Sequence, residues 1–157
     1  MPSKHLSEGM QMKAFVAHGL KGFMLFAALF ALCGASVDSF FDVIIQVESG
    51  NDPDTTGDQG RSRGLAQISR PYYIDARQEM ARHGITPPPY EEAVKDRVWT
   101  KSLMWHYMLR YCPQALADED FETIARTHNG GPMGAHRTAT VKYWIKVQKS
   151  MNKTQER

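Results

Sequence analysis

Apolar side chains recur at helical spacing in several stretches of this chain, and the breaks between those stretches are marked by proline, glycine and capping residues. The first holds Phe40, Phe41, Val43, Ile44, Ile45 and Val47 and stops at Gly50. Its β-branched content argues for a strand. The spacing Phe41, Ile44, Ile45, Glu48, with Ser36 and Asp38 as N-caps and Gly50 past the end, predicts a short helix instead. A second helix starts from Ser69 with Pro71 in its first turn and runs to Gly84. After the stiff Thr86-Pro87-Pro88-Pro89 connector, the pattern predicts one long helix from Tyr90 to Tyr111. Val94, Val98, Trp105, Met108 and Cys112 face its core side, and Pro113 ends it. Asp120 caps a short helix that ends at Asn129-Gly130-Gly131-Pro132. Thr138 or Thr140 opens a last one with Val141, Trp144, Ile145 and Met151 inward. Between the first two helices, residues 52–68 are rich in Gly, Asp and Thr and suit a small hairpin or an irregular lobe.

The first 35 residues do not fit this plan. Lys4, Lys13 and Lys21 precede the apolar run Gly22 to Leu32 and the small-residue stretch Cys33-Gly34-Ala35, which reads as a secretory signal peptide over 1–35 with cleavage after Ala35. The run is shorter than the ~20 residues of a membrane span, so an uncleaved anchor is the alternative, and Met12 is an alternative start. The expected mature domain is 36–157, secreted or periplasmic. Removing the leader takes three lysines and one glutamate from the 19 basic and 17 acidic side chains, which leaves 16 of each. Charge is nevertheless segregated, with six acids and no base over 38–58 and seven bases against Glu156 alone over 126–157. That suggests an acidic rim and a basic end for an anionic polymer. No nucleic-acid motif accompanies the bases. Cys112 is the one cysteine outside the leader, so the mature chain has no intramolecular disulfide and rests on packing. Neither cysteines nor histidines show metal-ligand spacing. Asp52 to Asp58 copies the first half of a calcium loop, but Arg63 stands where the closing glutamate belongs. No metal and no cofactor is expected.

Glu48 is the candidate for chemistry. It ends the first apolar segment directly before a loop bearing Asp52, Asp54 and Asp58. An apolar stripe, a helix C-terminus and neighbouring acids all disfavour its carboxylate form, the condition a general acid on a glycosidic oxygen needs.

Six blocks in order carry a family resemblance: Val47-Glu48-Ser49-Gly50; Gly64 with Gln67-Ile68; Tyr72-Tyr73-Ile74-Asp75; Tyr107-Met108-Leu109-Arg110-Tyr111; Ala125-Arg126-Thr127-His128-Asn129-Gly130-Gly131-Pro132-Met133-Gly134; and Thr140-Val141-Lys142-Tyr143-Trp144. Over roughly Val43 to Gln148 the chain resembles the invertebrate-type lysozymes, or destabilase family. The resemblance implies an α+β, mainly helical, lysozyme-like fold that cleaves the β-1,4 bond between N-acetylmuramic acid and N-acetylglucosamine in peptidoglycan. It makes Glu48 the general acid and Asp58, ahead of Asp54, the second carboxylate. It places Gln67, Tyr73, His128, Asn129 and Gly130 along the sugar cleft. Glycan strands are the implied partner, with a proteinaceous lysozyme inhibitor as a second, for a monomer without nucleic-acid or membrane partners after leader removal. Positions that hold disulfide cysteines in animal members are here Asn51, Ala76, Trp99, Leu103 and Ala135, from which a cysteine-poor, bacterial branch with less bracing around Asp58 is expected. The rival readings are a lytic transglycosylase using Glu48 alone and a non-catalytic peptidoglycan-binding protein. Some members also have isopeptidase activity, for which Ser62 and His128 are the residues to consider.

Overall fold

The computed structural model describes residues 36–155, so the expected leader over 1–35 lies outside the described residues. The first helix, α1, covers 36–49. Val37, Phe40, Phe41, Ile44 and Ile45 are buried along it, the stripe of a helix with one face in the core. It stops because Gly50 turns to φ +65 while its amide still bonds the Gln46 carbonyl at 3.1 Å. Asp38, expected as a cap, lies inside the helix. With Asp42 it receives the Lys101 ammonium at 2.8 and 2.7 Å.

The lobe after α1 is a three-stranded antiparallel sheet in the order β1 (Thr56–Gly57), β2 (Ser62–Arg63), β3 (Ile68–Ser69), with a 3-10 turn at Asp58–Gly60. Strands of two residues cannot hold themselves together. The lobe is docked through Gly64, whose φ is +76 and where a Cβ would come within 2.0 Å of the Val94 carbonyl oxygen. That close approach lets Leu65 N–H bond the same carbonyl at 2.9 Å.

α2 (Arg70–Arg82) starts as expected: the Ser69 side chain accepts from Tyr72 N–H at 3.4 Å, and Pro71 sits in the first turn. The long helix expected over Tyr90–Tyr111 is two, α3 (Tyr90–Ala93) and α4 (Arg97–Tyr111). Asp96 breaks it by capping Trp99 N–H at 2.9 Å. The Val94 carbonyl is meanwhile taken by Leu65 and by the Thr100 hydroxyl, at 3.1 Å. The break resets the helical phase. Val98, expected in the core, is 74% exposed, while Leu103, Met104, Tyr107 and Met108 are buried.

Pro113 opens α5 (Pro113–Ala117), and the Asp120 carboxylate caps α6 (Phe121–Gly130) by accepting from Thr123 N–H at 3.1 Å. Two 3-10 turns, Gly134–His136 and Thr138–Thr140, lead into α7 (Val141–Gln155). There Val147 takes the fully buried place, and Ile145, expected inward, is 45% exposed. One core joins α1, the lobe, α2, α4, α6 and α7. The α+β, mainly helical architecture expected from the chain is the one observed.

Candidate active site

A cleft of about 550 Å³ opens between the lobe and the helices, lined by Glu48 and Asp58 together with residues of α2, α4 and α6. Glu48 enters it from the last turn of α1, its side chain 17% exposed. Beneath the carboxylate, His128 brings Nε2 to 3.7 Å from Oε1. The His128 ring is 3% exposed, and its proton placement follows from its partners. Nε2 lies 3.1 Å from the Ala66 carbonyl, which can only accept, so Nε2 carries the hydrogen. Nδ1 then accepts from the Tyr72 hydroxyl at 3.3 Å. Burial holds the His128 pKa below the usual 6.5, against the opposing pull of Glu48 and the Ala66 carbonyl. His128 is therefore a neutral donor aimed past Glu48. Behind it, Tyr72 stacks on Tyr107 with centroids 3.6 Å apart. Burial keeps both phenols protonated far above neutral pH.

Asp58 faces the same cleft from the turn after β1. Its φ is +49 and that of Gln59 is +59, two successive non-glycine residues in left-handed conformation. Such strain collects where surrounding structure fixes a side chain for use. Here Arg61 donates to the Asp58 carbonyl through its amide and its Nε, at 3.3 and 3.0 Å. The buried Ser62 hydroxyl donates to Oδ2 at 3.0 Å. Asp54, the rival carboxylate, lies outside the cleft and pairs with Lys95 at 2.5 Å.

The other expected site residues divide. Gln67, His128 and Asn129 line the cleft, Asn129 exposed on its wall. Gln67 holds φ +48, and its Nε2 donates to the Thr55 and Gly64 carbonyls at 3.0 and 2.9 Å. Its amide thus braces the lobe, and its Oε1 packs so closely on Gly57 that a Cβ there would fall 2.5 Å away. Tyr73 does not reach the cleft. It is buried against Tyr90 and donates to the Pro88 carbonyl at 2.7 Å. Gly130 is also off the wall, packed against Thr140. The place expected for Tyr73 is held by Tyr72 and Asp75, one helical turn apart, with Tyr111 donating to Asp75 at 2.9 Å. That i, i+3 spacing after the Ser69 cap is the signal that separates the two adjacent tyrosines. Tyr143, whose buried hydroxyl faces Glu48 from outside the cleft, carried no such signal.

A broader groove of about 670 Å³ between the start of α6 and α7 holds Glu119, Asp120, Glu122 and Trp144. Asp120 there caps α6, Glu122 pairs with Arg126, and no histidine lines the groove. The paired carboxylates, the neutral imidazole and the strained turn all belong to the smaller cleft.

Comparison with known proteins agrees with the family resemblance and the fold. The family model described as Destabilase matches residues 38–150. An invertebrate-type lysozyme of Ruditapes philippinarum is 34% identical over 88 residues, 56% of this chain and 60% of that protein. A lysozyme of Magallana gigas is 29% identical over 131 residues, 82% of this chain and 90% of that one. Among solved structures, Tapes japonica lysozyme aligns with a TM-score of 0.58 at 30% identity, covering 70% of this chain and 86% of that one. Meretrix lusoria lysozyme in complex with Aeromonas hydrophila PliI aligns with the same score and coverage at 28% identity.

Proposed function

Because this chain belongs to the destabilase family, the invertebrate-type lysozymes, we propose that it is a glycoside hydrolase, a lysozyme that cleaves the β-1,4 bond between N-acetylmuramic acid and N-acetylglucosamine in peptidoglycan. The observation that carries the reading is the shared cleft of Glu48 and Asp58, from which Asp54 is absent. Glu48 gives its proton to the glycosidic oxygen as the C1–O bond breaks. Asp58, held in its polar turn, stabilises or bonds the developing cation at C1. Water then adds at C1 and returns a proton to Glu48. Ser62 and the doubled contact from Arg61 keep Asp58 in place for this role.

Asn129 offers an amide to an N-acetyl group, and Asp75 an acceptor to sugar hydroxyls further along the cleft. The Meretrix enzyme's complex with PliI supports a proteinaceous inhibitor as a second partner. A peptidoglycan substrate fits a secreted or periplasmic protein processed after Ala35, and amino-terminal sequencing of exported material tests that placement. The reaction itself is tested by mass analysis of muropeptides released from purified walls. Reducing N-acetylmuramic ends are expected, whereas anhydro ends would replace the hydrolase with a transglycosylase.

A further inference from the structure

We propose that Tyr143 is the positioning residue for Glu48, gripping its carboxyl from behind the cleft so that the proton is presented to the glycosidic oxygen. The inference rests on the reading of Glu48 as the acid.

Tyr143 stands in the first turn of α7, its ring packed against the core. Its hydroxyl is shut off from solvent and has no well-formed hydrogen bond among the described residues. Burying an unpaired phenol is costly, and replacing it by a ring of the same shape would remove that cost. The hydroxyl is nevertheless not aimed at random. After burial itself, Glu48 acts on it most strongly, through charge and through a contact that falls short of good hydrogen-bond geometry, and Tyr72 comes next. The same helix holds the backbone of α1 at this point, since Lys146 donates to the Val47 carbonyl at 2.9 Å. α7 therefore fixes the residue before Glu48 with an ammonium and faces its side chain with a phenol.

His128 Nε2–H also approaches the Glu48 carboxyl, at 3.7 Å, and is already bonded to Ala66. The Glu48 carboxyl is thus approached by two neutral donors, neither closed on it. When one oxygen turns to a bound sugar, the other comes into the reach of Tyr143. The phenol bond to that second oxygen strengthens as the proton leaves and the carboxylate forms, so it is worth most in the transition state.

Tyr143→Phe tests this, because it removes only the hydroxyl. With soluble peptidoglycan fragments, kcat is expected to fall about ten- to a hundredfold, the worth of a hydrogen bond to a charged group, with KM unchanged. The alkaline limb of the pH profile is expected to move upward, since the carboxylate has lost a donor. Thermal stability is expected to hold or rise, opposite in direction to activity. A tyrosine with a packing role alone gives a lower melting temperature with an unchanged kcat and pH profile, and that result overturns the proposal. If the variant does not fold, 3-fluorotyrosine incorporated at position 143 keeps the shape and sharpens the donor. The alkaline limb should then move downward, and an unmoved limb again overturns the proposal. Activity retained by Glu48→Gln would instead remove the underlying acid assignment.

Discussion

Gln67→Met separates two roles for one residue of the cleft. Methionine keeps the length of the side chain and loses both amide bonds, to Thr55 O and Gly64 O. Each is worth about 1 kcal/mol net. Neither carbonyl is left bare, because Gly64 N–H still bonds Thr55 O at 2.9 Å and Gln67 N–H still bonds Gly64 O at 3.2 Å. The expected loss is therefore about 2 kcal/mol, with no added cost for an orphaned acceptor. It should fall on the lobe alone, whose strands are two residues long, and not on the helical core. In equilibrium terms that is an increase of about thirtyfold in lobe opening, read as faster amide hydrogen exchange over residues 55–69 with the rates in α1 and α4 unchanged. Because Asp58 rides on this lobe, kcat should fall with it. A sugar-binding role for the Gln67 amide predicts the opposite split: KM rises and lobe protection stays. That pattern would refute the bracing argument.

Glu48→Gln should abolish turnover while leaving the melting temperature and glycan binding nearly intact. Asp58→Asn should lower turnover strongly and Asp54→Asn only slightly, measured on the same walls, since only Asp58 faces the cleft. His128 gives a pH dependence of stability. Its folded pKa lies below 6.5, so the unfolded chain binds the proton first. The stability is present above pH 6.5 and lost as pH falls from there through the folded value. Urea midpoints should accordingly drop on that side of 6.5, less steeply in His128→Gln.

The parts legible from the chain are those set by local chemistry. Ser69 with Pro71, Asp120 and Gly50 mark helix ends through their own backbones and side chains, and the structure keeps them. Glu48 and the acid loop after it were legible for the same reason. What failed depended on partners distant in sequence. The break between α3 and α4 follows from Leu65 competing for the Val94 carbonyl, and it turns Val98 out to solvent while Met108, further on, stays in the core as expected. Tyr73 and Tyr72 differ only in which side of α2 they occupy, which the cap position decides. Gln67 looks like a ligand contact in a list of cleft residues, and only the pairing of its amide with two carbonyls turns it into a brace. Tyr143 and Val147 needed the docking of α7 on α1 before either could be placed.

The contacts around the Glu48 carboxyl also span long stretches of chain. Ala66 meets His128 across 62 residues, Tyr72 meets His128 across 56, and Lys146 meets Val47 across 99. Closing such loops is the slow part of folding, because their entropy is lost before any local contact compensates. Completion of the cleft therefore waits on these long-range closures. α1 can form early from its own apolar stripe, but its terminal glutamate has no imidazole beneath it until α6 arrives and no helix behind it until α7 docks. A partly folded chain would thus hold Glu48 exposed to water, away from these partners. On the proposed reading, a competent acid exists only once the tertiary structure is complete.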